Sequence, residues 1–515
     1  MLLHIGGGTF LAVFTAWAIY KLLYKLVLYP IFFTPLEHIP TPNNRSLLTG
    51  NTKSFAIEVP YAMIERWIKA IPNASMIRYY IVGNSEWVLL TSPEALYEMF
   101  VKKTYDFEKP QLIRDLMRHL VGDGIILAEG WKHKVQRKSL IPAFSSRNVE
   151  NLHDLFWSKS LDMSRLIEDY QATRPTGDNV IKISDWSSRA TLDIIGQAGM
   201  GVEFDSLRNP QNTLYQAYRK LIRPSKSEKL LSILCILFLY PKLTYQIPTR
   251  RNHEIEESQQ KIRSAARKMV HKRMAEDNTN SPKLDVISLA LKSKEFTEEE
   301  LVDQAMSFLS AGHETTSAAL QWSVYALCKH PDVQIRLRRE ARAHLSGSST
   351  EGQDTRSSLP AIKNLPYLNA FCDEVLRYYP PIPKTIRTAA RDTSIAGHPI
   401  PKGTMFVISP QVVNRMDELW GPSAKSFDPS RFIGTTGAYQ RPKSNNHAFL
   451  TFLHGPRSCI AHEFAKTELC FLVFSLVARF AMELQDPKAE LVIQEDVTAR
   501  PSDGVLAKFT TLEEL

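Results

Sequence analysis

Apolar runs of different lengths and periods organise the chain. Residues 5–33 are almost continuously apolar, interrupted only by Lys21 and Lys25. A run of that length spans a bilayer as a single helix. The two lysines lie on its C-terminal side, which assigns that side to the cytosol. Ala16-Trp17-Ala18 faintly matches a signal-peptidase site, but nothing charged precedes the apolar run beyond the amino terminus. An uncleaved anchor over residues 1–34 is therefore expected. Pro30, Pro35, Pro40 and Pro42 follow, and a proline-rich hinge over residues 35–50 should keep the anchor helix from running on into the globular body.

Residues 76–91, MIRYYIVGNSEWVLLT, are rich in β-branched and aromatic side chains around Gly83-Asn84 and predict a β-hairpin. Ser92-Pro93-Glu94 then starts a helix, with Ser92 as its cap. The apolar run at residues 230–240, between Lys229 and Lys242, is too short to span a membrane. It reads either as a buried helix or as a second, monotopic membrane contact. Residues 274–284 and 345–358 are polar connectors rather than domain boundaries, leaving one body over residues 51–515. Thr297-Glu298-Glu299-Glu300 is a capping box, with Phe296 and Leu301 placed to staple it. The helix it opens runs to His330 before Pro331. That is roughly 33 residues, or about 50 Å, enough to cross a domain. A last apolar helix covers residues 462 to about 480.

With 515 residues, 44% of them hydrophobic, the chain can bury a large core. The net charge of +9 is spread along it, which points to a membrane surface or a basic docking face and not to nucleic acid. Cys235, Cys328, Cys372, Cys459 and Cys470 are too scattered for a disulfide framework, and none forms C-x-x-C, which argues against zinc and for a reducing compartment. The chain carries no phosphate loop, dinucleotide fingerprint or nucleophile elbow.

Chemistry concentrates at residues 452–461, FLHGPRSCIA. Gly455 can take a positive φ, so the loop can fold tightly and turn its N–H groups inward. Arg457 and the following helix N-terminus bring positive charge towards Cys459, which favours thiolate. A buried structural cysteine is the plainer reading of these residues alone. In the middle of the long helix lies Ala311-Gly312-His313-Glu314-Thr315-Thr316. Glycine weakens a helix by about 1 kcal/mol, so it calls for a reason. Either it opens a notch beside an acid and a hydroxyl that relay protons, or it is a helix-packing notch beside a chance Glu-Thr pair. His313-Glu314 starts no zincin motif, because no second histidine follows at the required spacing. Glu374 and Arg377 share a helix face at i, i+3, and a buried pair of this kind needs a further partner.

Phe452-x-x-Gly455-x-Arg457-x-Cys459, continued by Phe464-Ala465-x-x-Glu468, resembles the haem-binding signature of the cytochrome P450 family. Ala461 departs from it, standing where the family usually has glycine. Ala311 to Thr315 resembles the family's oxygen-activating motif. Residues 427–432, FDPSRF, resemble the segment whose arginine, here Arg431, would complete a structural network with Glu374 and Arg377. Residues 130–144 resemble the helix at the haem edge, with His133 where tryptophan is usual. These motifs occur in family order over about residues 50–515 and resemble membrane-anchored microsomal members, in particular fungal enzymes of secondary metabolism.

The resemblance implies a mainly α fold with a small β region. It implies haem b with Cys459 as the axial thiolate that pushes electron density onto iron. Arg137, Arg387, Arg457 and His133 would face the haem propionates, although a solvated basic helix is the other reading of His133 and Arg137. Glu314 and Thr315 would deliver protons, and the activity would be monooxygenation of a lipophilic small molecule. Phe308, Ala311, Gly312, Ile382 and Ser502, with the loop at residues 106–125, would contact it. Electrons would come from NADPH through the flavins of a separate NADPH-cytochrome P450 reductase, with cytochrome b5 as a further donor. Lys132, Lys134 and Lys138 would help form the docking face. The place would be the cytosolic face of the endoplasmic reticulum membrane. The alternatives are a haem-thiolate isomerase or dehydratase without a reductase, and a non-catalytic haem-binding membrane protein.

The sequons at Asn44 and Asn73 test the orientation. Both are expected to stay bare when the chain is expressed in a eukaryotic host. A glycan on Asn73, seen as a mobility shift removed by glycosidase, contradicts a cytosolic body.

Overall fold

A computed structural model describes residues 2–513 apart from 47–48, 53–59, 176, 223–248, 278–284, 349–358, 441–447, 489–490 and 496. The apolar run at 230–240 lies outside the described residues. Helix Leu2–Leu23 continues without a break into a wide-turned helix, Tyr24–Phe33. Within it, Ala12–Pro30 is long and apolar enough to cross a membrane. The helix ends at Thr34, where the backbone becomes extended, one residue before Pro35, while Pro30 lies inside it. Wider turns with i→i+5 bonds accommodate the ring that a regular α-turn would reject.

The hairpin forms as the sequence predicts. Met76–Ile81 pairs antiparallel with Ser85–Leu90, and Gly83 and Asn84 both take positive φ at the turn. The Ser92 hydroxyl accepts the Ala95 N–H and caps helix Pro93–Tyr97. The hairpin is one edge of a five-stranded sheet, in which Ser85–Leu90 is followed by Met405–Ile408, Thr385–Ala389 and Phe107–Glu108. Arg387 lies in this sheet and Lys109 directly follows its edge strand, and both line the same internal cavity.

Helix Glu298–Lys329 runs through the main core and packs against Ile183–Met200, Arg250–Asp277 and His462–Arg479. Its start is closed reciprocally: the Thr297 hydroxyl accepts the Glu300 N–H at 3.3 Å, and the Glu300 carboxylate accepts the Thr297 N–H at 3.1 Å. Pro331 ends it and opens the next helix, Pro331–Ser348. Residues 274–277 and 345–348, expected in connectors, are helical, since helices reach Asp277 and Ser348; the rest of the two polar stretches lies outside the described residues.

Behind the cysteine loop, helix Pro366–Tyr378 buries Glu374 and Arg377 completely. Arg377 donates to both Glu374 oxygens at 2.6 and 2.7 Å, and Arg431 reaches the same carboxylate at 3.2 Å. Arg377 also donates to the carbonyls of Asn414 and Ala424, each at 2.7 Å, and of Ser426 at 3.0 Å. Every charge in this network is therefore compensated, as its burial demands. Arg377→Leu leaves Glu374 buried with a single cation. It is expected to lower stability by about 3–5 kcal/mol, read by urea unfolding. Arg377→Lys should rescue little, because an ammonium cannot reproduce the planar fork.

Candidate active site

Gly455 takes φ 68° at the start of a tight turn, Gly455–Arg457, and a Cβ there would collide with the Phe100 carbonyl. The Cys459 N–H then donates to the Phe452 carbonyl at 2.8 Å, which aims the sulfur into an internal cavity of about 330 Å³. Ala461 has an ordinary negative φ, so alanine introduces no backbone strain in place of the usual glycine. Helix His462–Arg479 begins one residue later.

The charges around the sulfur differ from expectation. Arg457 is turned away and pairs with buried Glu129. Arg137 takes its place: it donates to the Ser458 carbonyl at 2.7 Å and to the Ser458 hydroxyl at 3.2 Å. Cys459 is exposed to the cavity, but enclosure by the surrounding protein is still the largest influence on its thiol and pushes the pKa up, opposed by the Ala461 N–H and the charge of Arg137. The loop alone therefore holds a thiol, which a coordinated metal cation deprotonates.

Across the cavity from Cys459 stand Phe308, Ala311, Gly312 and Thr315 of the long helix, with Ile382 on a flanking wall. The Thr315 hydroxyl donates to the Ala311 carbonyl at 2.7 Å. A Cβ on Gly312 would lie 2.6 Å from Cγ1 of Ile195, so this glycine is required by packing against Ile183–Met200, although it also borders the cavity. Glu314 is held elsewhere: its carboxylate accepts from Arg500 and, at 2.9 Å, from the Thr498 hydroxyl, and it does not line the cavity. Ser502 is also absent from the cavity wall. It is exposed in a turn whose N–H binds the Val492 carbonyl, and its hydroxyl faces Asp503. The C-terminal pair of strands, Ile493–Glu495 and Ala499–Pro501, meets the long helix through Thr498 to Arg500 instead, and the Trp322 indole donates to the Ala499 carbonyl at 2.9 Å.

One end of the cavity is cationic. Lys109, Arg137, Arg387 and Arg457 gather there with His133. Arg387 is buried and bonds only to Thr385 and to the carbonyl of Ile386, both at 2.8 Å, among the contacts described; burial lowers its pKa to about 10. Lys109, which sequence reading missed, falls to about 7, through burial first and the Arg387 charge second. His133 falls to about 3, through burial and then the charges of Arg457 and Lys109. It is therefore a neutral ring beside the Tyr105 hydroxyl, 3.1 Å from Nδ1, and not the cationic donor that its spacing from Arg137 suggested. The Nε and Nη1 of Arg457 are buried without a hydrogen-bond partner. Glu129 is the carboxylate that faces these cations. Such a surplus of buried positive charge is costly unless a polyanion sits against it.

A porphyrin asks for an axial ligand, an apolar slot and counter-charges for two carboxylates. The cavity supplies Cys459, walls such as Phe452 and Phe464, and the cluster of Arg137, Arg387, Arg457 and Lys109. Fold and site together define a haem-thiolate enzyme. The chain belongs to the cytochrome P450 family, whose model matches residues 74–509. It is similar to the cytochrome P450 monooxygenase sphH of Aspergillus fumigatus, at 48% identity over 98% of this chain and 94% of the relative. It is 37% identical to the cytochrome P450 monooxygenase FUM15 of Gibberella moniliformis, over 90% of this chain and 85% of that protein. The cytochrome P450 monooxygenase FSL4 of Gibberella zeae is 35% identical, over 97% of this chain and 92% of its own length.

Haem affinity should depend on pH through Lys109. Burial and the Arg387 charge outweigh Glu129, so that without haem the Lys109 pKa lies at about 7. A neighbouring propionate favours the ammonium, so haem uptake takes up a proton between that value and the ordinary lysine pKa of 10.5. Affinity is therefore expected to fall as pH rises through this window. Haem transfer to apomyoglobin measures it, and Lys109→Met should flatten the dependence.

Proposed function

We propose that this cytochrome P450 hydroxylates or otherwise monooxygenates a lipophilic small molecule as a tailoring step of fungal secondary metabolism. The observation that carries this reading is the shared cavity: among the described residues, Cys459 and Thr315 line one largely apolar space that carries a cationic cluster of Lys109, Arg137, Arg387 and Arg457. When bound, the haem supplies oxygen activation at its thiolate-ligated iron. The chain's own side chains do the rest. Phe308, Ile382, Ile125 and Phe144 orient an apolar substrate and exclude water. Thr315 holds a hydroxyl at the cavity wall, where it can pass a proton inward. Glu314 would feed that relay from behind, by exchanging its bond to Arg500 for one to solvent.

Electrons would come from NADPH through a separate membrane-bound reductase, with cytochrome b5 as a second donor. Lys134 and Lys138 on helix Gly130–Leu140 offer a basic surface for it. Trp131, 76% exposed, lies beside them, while Lys132 is partly occupied by Glu300 at 3.0 Å. Residues 1–34 would anchor the protein in the endoplasmic reticulum membrane. The proline-rich segment over residues 35–50 would then lead into a cytosolic catalytic domain over residues 51–515.

Reconstitution with an NADPH-dependent reductase and candidate metabolites tests this. The expected result is substrate-dependent NADPH consumption and a product carrying one labelled oxygen atom from ¹⁸O₂. Turnover without any reductase would point to the isomerase or dehydratase alternative, and NADPH use indifferent to every substrate would point to a non-catalytic protein. Thr315→Ala should lower product formation on the order of 10²-fold while leaving haem content unchanged.

A further inference from the structure

Pro30 gives no N–H to the turn before it. The neighbouring hairpin supplies donors there instead. The Asn84 side-chain amide donates to the Leu26 carbonyl, the acceptor that residue 30 would serve in a regular α-helix. The Tyr80 hydroxyl donates to the Pro30 carbonyl at 3.1 Å in a buried bond. Just past the helix end, the Thr34 hydroxyl donates to Glu86 at 2.9 Å, and Arg78 pairs with the same carboxylate at 3.2 Å. The left-handed turn at Gly83-Asn84 brings the hairpin tip this close: a Cβ on Gly83 would lie 3.5 Å from Cδ2 of Leu26. Asn84 is only 3% exposed. One hairpin thus grips the anchor along residues 26–34 with directional bonds that a slack tether does not make.

Beside these bonds the segment still presents apolar surface: Leu28 and Tyr29 are partly exposed, and Phe32 and Phe33 are exposed by 67% and 59%. They continue the exposed apolar surface of Phe14, Trp17 and Tyr20 on the span Ala12–Pro30. Tyrosine and phenylalanine at the end of an apolar span suit the boundary between acyl chains and headgroups.

We propose that the hairpin clasps the anchor at its proline and seats the catalytic body on the bilayer at a fixed tilt, with Leu28, Tyr29, Phe32 and Phe33 in the interfacial layer of the lipid. The inference rests on the reading that Ala12–Pro30 crosses a membrane.

Linear dichroism of the haem in oriented phosphatidylcholine multilayers reads that tilt without turnover. The wild-type holoprotein is expected to show a single defined angle. Tyr80→Phe/Asn84→Ala should shift the angle or abolish the dichroism while leaving the carbon-monoxide spectrum intact. Tyr80→Phe alone gives a milder version should the pair fail to fold, since it keeps the ring that Arg45 covers at 3.5 Å. Phe32→Ser/Phe33→Ser leaves the clasp untouched and should also shift the angle. Dichroism identical to wild type in the clasp variants overturns the clasp. An unchanged angle in the phenylalanine variant overturns the lipid seat, and a loss of self-association at unchanged angle would assign that face to a second copy of the chain instead. A wild-type chain that carbonate strips from the membrane would overturn the anchor reading itself, and is distinguishable from a failed clasp because no oriented sample then forms.

Discussion

The site depends on keeping charge out of water in two places, and the fold is arranged around both. At the first, Glu374 and Arg377 lie fully buried and are tolerable only because every donor and acceptor finds a partner. Their influence reaches the sulfur through Asn414. Arg377 donates to the Asn414 carbonyl; the Asn414 side chain then accepts from the Leu450 N–H at 2.7 Å and donates to the Thr451 hydroxyl at 2.8 Å. Thr451 in turn donates to the Leu376 carbonyl at 2.7 Å. The chain enters the cysteine loop at Phe452 immediately after this set of bonds. A network distant from the chemistry therefore fixes where the loop begins, and the Cys459 N–H bond to Phe452 fixes where it ends.

At the second place the charges are not balanced by the protein. Lys109, Arg137, Arg387 and Arg457 are drawn together at one end of the cavity against Glu129. Burial lowers the pKa of Lys109 and Arg387, and Arg457 keeps two donors without partners. The cofactor's carboxylates answer that imbalance, so haem binding and local stability are one process in this region. The neutral His133 adds a polar edge without adding to the repulsion.

Much of this was legible in the sequence, where a local rule tied residues to geometry. The capping box at Thr297, the hairpin turn at Gly83-Asn84, the glycine at Gly455 and the Glu374–Arg377 pair each follow from spacing or backbone sterics, while Arg431 as their partner follows from the family resemblance. What was not legible depends on tertiary approach. Lys109 sits before Pro110 in a loop with no periodicity, and only folding brings it beside Arg387. The partners of Glu314, Arg500 and Thr498, lie far along the chain, as does the Glu129 that draws Arg457 away from the sulfur. Ser502 lies in a hairpin whose neighbouring residues contact the long helix, but its own side chain points outward. The proline-rich exit after the anchor is legible, but that Pro30 itself stays within the helix is not, because the compensating donors come from residues 80 and 84.

The central claim is that Cys459 ligates haem iron as a thiolate. A reduced carbon-monoxide difference spectrum, taken on membranes containing wild type and Cys459→Ser, tests it most directly. Thiolate ligation gives a long-wavelength Soret band in the wild type and its loss in the variant. A folded wild-type protein that binds haem but shows the shorter-wavelength band of a non-thiolate ligand, unchanged in Cys459→Ser, would contradict it.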